Sequence, residues 1–197
     1  MKQVTLILQG ISKKLNFIGS GEFSKVYHDT ETNLVYMIAP YGDNGKHIFS
    51  HVEGINIPIL HDYFFLNENE DDYTTVFVTN YYNKLTKKEY PEAYQNYLVI
   101  SNLINKTRYD VTKNNLKNDN VYCADFNNYL VNLIEKETRL TGELKDSFIS
   151  LISMANNMDC VMVSDNKKNN FSVDNEGNLI LRDLCIDMKI LKQIRSK

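Results

Sequence analysis

The apolar residues of this chain change period near Pro91. Before it they form short β-branched and aromatic runs at 4–8, 15–18, 25–28, 34–39, 61–66 and 74–79. Runs of that length between turn-forming residues read as strands. The segment Asp29-Thr30-Glu31-Thr32-Asn33 is one such turn, and the acidic segment 67–72 is a solvated loop. After Pro91, a residue suited to a first helical position, the spacing becomes helical. Tyr94, Tyr97, Leu98 and Ile104 share one face. Phe126, Tyr129, Leu130, Leu133 and Ile134 form a second stripe with Asp125 as its cap, and Leu144, Phe148, Leu151 and Ile152 a third with Thr141 as its cap. The polar, basic stretch 105–120 reads as a long loop. The fold class expected is α+β, in a single domain over 1–197.

Composition narrows the function. The chain is 43% hydrophobic, enough for a sizeable core. Its net charge of −3 with interspersed signs gives no electrostatic case for nucleic acid. No apolar run approaches membrane-spanning length, and the first residues carry no small-residue cleavage site, so neither a membrane partner nor a signal peptide is expected. Cys123, Cys160 and Cys185 lack metal-ligand spacing and read as free thiols of a reducing, cytoplasmic compartment.

The chemistry is concentrated in 161–187. An apolar run at 161–163 leads to Asp165, with Lys167 and Asn170 close behind. A strand at 171–173, the turn Asp174-Asn175-Glu176-Gly177 and a strand at 178–181 then lead to Asp183. The hairpin brings Asn170 and Asp183 to one end of a ribbon. Hard oxygens of this kind suit Mg²⁺ shared with phosphate oxygens. The same residues also read as an exposed hairpin after a polar turn. Near the other end of the chain, Gly19-Ser20-Gly21-Glu22-Phe23-Ser24 lies between two strands. Glycines there let backbone N–H groups approach phosphates.

Together the two stretches resemble the glycine-rich loop and the catalytic and metal-binding loops of protein kinases. Asp165, Lys167, Asn170 and Asp183 stand at the family's spacing, and FIGSGEFSKVY matches its glycine loop through Gly19 and Gly21. Within the family the chain is most similar to small bacteriophage-encoded serine/threonine kinases. Departures are plain: Val163-Ser164 replaces His-Arg, Leu184-Cys185 replaces Phe-Gly, and Ser24 replaces a third glycine. The resemblance implies a truncated two-lobed kinase-like fold, with a β-rich N-lobe about 1–79, a hinge about 80–83 and a helical C-lobe about 84–197. Fourteen residues follow Asp183, so the family's later helices are not expected.

It also implies ATP and Mg²⁺ as cofactors and a host or cellular protein as substrate or target. Asp165 would orient the attacking hydroxyl and Lys167 steady the phosphoryl group. Asn170 and Asp183 would hold the metal. Gly19, Ser20, Gly21, Phe23 and Ser24 would cover the phosphates, and Val26 would pack on adenine. The family's phosphate-binding lysine falls at Met37, which cannot neutralise phosphate. Three explanations stand open: a natural pseudokinase, another lysine such as Lys25 reaching in, or an engineered Lys→Met change. A short helix is expected at 46–53, with Glu53 either pairing with the strand cation or simply exposed. Two functions follow: a protein serine/threonine phosphotransferase, or a pseudokinase-type module that inhibits or scaffolds a host protein.

Overall fold

Alternation in the first third of the chain produces the expected strands. The computed structural model describes residues 2–20, 24–40, 44–67, 74–113, 119–140, 142–158, 160–162 and 167–187, and the chain is mixed α+β. It divides into two compact units: Met1–Asp43 with Ile59–Tyr81, and Asn44–Pro58 with Tyr82–Lys197.

The first unit holds a six-stranded antiparallel sheet. Its strands are β1 (Lys2–Leu8), β2 (Ile11–Ser20), β3 (Lys25–Asp29), β4 (Leu34–Pro40), β5 (Leu60–Asn67) and β6 (Thr74–Asn80). Their order is β1-β2-β3-β4-β6-β5. Period-2 spacing gives the sheet two apolar faces. Leu8, Leu15, Tyr27, Tyr36, Val76 and Val78 are buried on one. Val35, Met37, Ala39 and Phe77 are buried on the other, with Val26 and Leu60 packed against them. The β3–β4 turn is closed by Asp29, whose Oδ1 accepts the N–H groups of Glu31 (3.0 Å) and Thr32 (3.4 Å).

The second unit begins with α1 (Asn44–His47) and a 3₁₀ turn, Ile48–Ser50. After β7 (Asn83–Lys84) come three long helices, α2 (Pro91–Lys113), α3 (Asp119–Lys136) and α4 (Gly142–Asn157). Then follow β8 (Cys160–Met162), a 3₁₀ turn at Lys168–Asn170, β9 (Phe171–Val173), β10 (Leu179–Leu181) and β11 (Cys185–Asp187). The strands form two antiparallel sheets, β10-β9-β7 and β11-β8. Helix α4 shows why these helices form where they do. Leu144, Phe148, Leu151, Ile152 and Ala155 all lie inside, and burying each large side chain contributes about 2 kcal/mol.

Three expectations need correction. The stretch 105–120 is not one long loop, because α2 continues to Lys113. Thr107 and Val111 extend the buried face of Leu103 and Ile104, and the Thr107 hydroxyl donates to the Leu103 carbonyl at 2.9 Å. Asp125 does not cap α3; it is exposed within a helix that starts at Asp119. Finally, the helix expected at 46–53 is shorter and starts earlier, as an α turn at Asn44–His47 and a 3₁₀ turn at Ile48–Ser50, and Glu53 is exposed beyond it. Thr141 lies outside the described residues, as does most of the acidic segment 67–72.

Segment 44–58 belongs to the second unit, although in sequence it lies between β4 and β5. Two contacts fix it there. A Cβ on Gly54 would come within 2.5 Å of the Ser147 hydroxyl on α4, so only glycine allows this approach. Asn56 then pairs with the outer edge of β10. Its side-chain amide donates to the Leu179 carbonyl (2.7 Å), and its own carbonyl accepts the Leu181 N–H (2.9 Å).

Candidate functional site

The β9–β10 hairpin forms as its sequence dictates. Asp174 organises the turn: its Oδ1 accepts the N–H groups of Glu176 (2.9 Å) and Asn178 (2.8 Å). Gly177 sits at φ 94°, a conformation that favours glycine. The register pairs Val173 with Leu179 and Phe171 with Leu181. Asn170 and Arg182 therefore flank the same end of the ribbon.

A backbone clasp closes that end. The Asn170 carbonyl accepts the N–H groups of both Arg182 (3.0 Å) and Asp183 (3.2 Å). The Asn170 N–H itself donates to the Lys167 carbonyl at 2.9 Å. Lys167, Asn170 and Asp183, singled out by spacing and by the kinase resemblance, are thus linked through main chain within one short region. Arg182 is turned along the ribbon, donating to the Ser172 hydroxyl at 2.9 Å. Below, Phe171 is buried and meets the Tyr97 ring edge-on at 5.0 Å, anchoring the hairpin to α2.

The strand leading into this region is anchored as firmly. Asn127 on α3 is fully buried. Its amide donates to the Cys160 carbonyl at the start of β8 (3.0 Å) and to the Asn156 side chain at the end of α4 (2.8 Å). β8 then pairs with β11, which follows Asp183, in the register Met162–Cys185 and Cys160–Asp187. Both flanks of 163–166 are consequently fixed, although Asp165 itself lies outside the described residues.

A residue to which the sequence assigned no role also reaches this site. Lys46 on α1 donates from Nζ to Asp183 Oδ1 at 3.2 Å. The Lys46 side chain is 5% exposed and that of Asp183 is 52% exposed. Nothing local marks Lys46 in the sequence, since the pairing joins positions 137 residues apart.

In the first unit, three candidates line up across neighbouring strands. Gly19 on β2 pairs with Val26 on β3, and Val26 pairs with Met37 on β4. A Cβ built on Gly19 would meet open space. Ser20 pairs with Lys25, and Ser24 precedes β3 half-buried. Gly21 and Phe23 lie outside the described residues. Met37 is buried in the apolar cluster with Val35, Ala39 and Phe77. Lys25 does not reach that face. It pairs with Ile38, the neighbour of Met37, and strand alternation turns it to the opposite side.

Asn170 and Asp183 offer hard oxygen donors of the type Mg²⁺ takes. Among the described residues, no cluster of three or more His, Cys, Asp or Glu side chains is positioned to hold a metal ion. Two protein oxygens fit a magnesium ion that brings most of its coordination sphere as phosphate and water. Also among the described residues, no helix is long and apolar enough to cross a membrane. Neither the protein-family profiles nor the curated proteins contain a match to this chain.

Proposed function

We propose that this chain is a kinase-like phosphotransferase of the cytoplasm, binding ATP with Mg²⁺ and acting on protein serine or threonine. The observation that carries the reading is the clasp at Asn170, which holds two candidate metal ligands at the end of one hairpin with a buried ammonium beside them. In this reading Asn170 and Asp183 hold the metal, and bound Mg²⁺ would neutralise charge on the phosphates. Asp165 accepts the proton of the attacking hydroxyl, and Lys167 steadies the transferred group. Gly19, Ser20, Gly21, Phe23 and Ser24 cover the phosphates while Val26 packs on adenine. A two-lobed kinase-like architecture, with its hinge at 80–83, is part of the same proposal.

The second reading is a pseudokinase-type module that binds a host protein without catalysis. The apolar setting of Met37 favours it, because the family's phosphate-binding cation is absent from that strand. Calorimetry with ATP separates the readings. The phosphotransferase reading expects ATP affinity to rise on adding Mg²⁺, and Asp183→Ala to remove at least about tenfold of that gain. Equal affinity with and without Mg²⁺ would take Asn170 and Asp183 out of the metal role. Absence of ATP binding would leave the protein-binding module as the account.

A further inference from the structure

We propose that Lys46 supplies an ammonium that contacts the nucleotide phosphates, a charge that Met37 does not supply; this rests on the ATP–Mg²⁺ reading above. The argument begins with cost. Lys46 Nζ lies in an almost fully buried side chain on a four-residue helix, and it donates to the candidate metal ligand Asp183 at 3.2 Å. Withdrawing an ammonium from water carries a large desolvation penalty, and a buried ion pair rarely repays it as stability. A methionine of similar length would fill the space at no such cost. Retaining a charge here is therefore better explained by what it meets during binding than by folding.

The second step is placement. Asp183 is half exposed, so solvent, metal and phosphate can approach its carboxylate. A cation held against that carboxylate stands where a metal-bound phosphate would arrive, and an ammonium can donate to a carboxylate and a phosphate oxygen together. Other nearby cations are less well placed. Arg182 is engaged with Ser172, and Lys167 projects from an exposed position. The segment carrying Lys46 is held by Gly54 against α4 and by Asn56 against β10, so the ammonium is positioned before any ligand binds.

The test uses the full chain and the variants Lys46→Met, Lys46→Arg and Asp183→Asn. ATP affinity is measured by calorimetry with Mg²⁺ and again in EDTA, beside the unfolding midpoint without nucleotide. Lys46→Met is expected to weaken ATP about tenfold or more in both conditions, with Lys46→Arg in between. Asp183→Asn is expected to weaken ATP only when Mg²⁺ is present. The nucleotide-free midpoint of Lys46→Met should hold or rise, because the carboxylate left behind is hydrated. Unchanged ATP affinity in Lys46→Met would overturn the proposal. So would a loss confined to Mg²⁺ conditions, which would mean that Lys46 acts only through Asp183, or a loss accompanied by a lowered midpoint, which would make the pair structural. If the unmodified chain does not bind ATP, the functional reading itself fails and this proposal falls with it.

Discussion

Met37 shows how differently a residue reads in sequence and in structure. The sequence marked it as a missing charge, and the structure gives it a role as core, packed with Val35, Ala39 and Phe77. Placing lysine there buries an ammonium among apolar side chains. Met37→Lys is therefore expected to lower nucleotide-free stability by about 3 kcal/mol, the scale of an uncompensated buried charge. ATP with Mg²⁺ should restore part of that loss if phosphates reach this face. Denaturant unfolding with and without nucleotide measures both effects, and an unchanged nucleotide-free midpoint would contradict the apolar setting. Lys167, Asn170 and Asp183 were legible because short-range spacing and one hairpin bring them together. Lys46 was not, because its pairing with Asp183 depends on a tertiary contact that no local pattern encodes.

At the scale of elements, strands and hairpins were read more accurately than helix ends. Alternation and turn chemistry are local, so β1 to β6 and the Gly177 turn follow from a few residues each. Helix α2 outran its expected end because its polar surface masked a buried stripe through Thr107 and Val111. The α3–α4 connection carries a pH-dependent feature. Glu137 accepts the Arg139 side chain at 2.8 Å from Nε and the Arg139 N–H at 2.9 Å. The Arg139 side chain first, and its N–H second, hold the Glu137 carboxyl at about 2, below the ordinary 4.5. A carboxylate with a lowered folded pKa contributes stability above its unfolded value and loses it as pH falls through the folded one. Arg139 is 65% exposed, so solvent screens the pair and Glu137→Gln should cost under about 1 kcal/mol at neutral pH. That difference should shrink as pH falls from 4.5 towards about 2. Unfolding midpoints of the two proteins across this range check it, and a pH-independent difference would refute the pairing.

For the molecule as a whole, the sequence conveyed an α+β chain with strands first and helices after, but not the partners of segment 44–58. That segment follows β4 in sequence, yet Gly54, Asn56 and Lys46 tie it to α4, β10 and Asp183. Sequence proximity could not reveal those partners, which lie far along the chain. The central claim is that Asn170 and Asp183 hold a divalent metal together with nucleotide, and NMR of the full chain with Mn²⁺ as the paramagnetic probe tests it most directly. With ATP present, Mn²⁺ is expected to broaden the amide signals of Asn170, Arg182 and Asp183 most strongly, and Asp183→Ala should abolish this, whereas broadening centred elsewhere, or equal in the absence of ATP, would contradict the account.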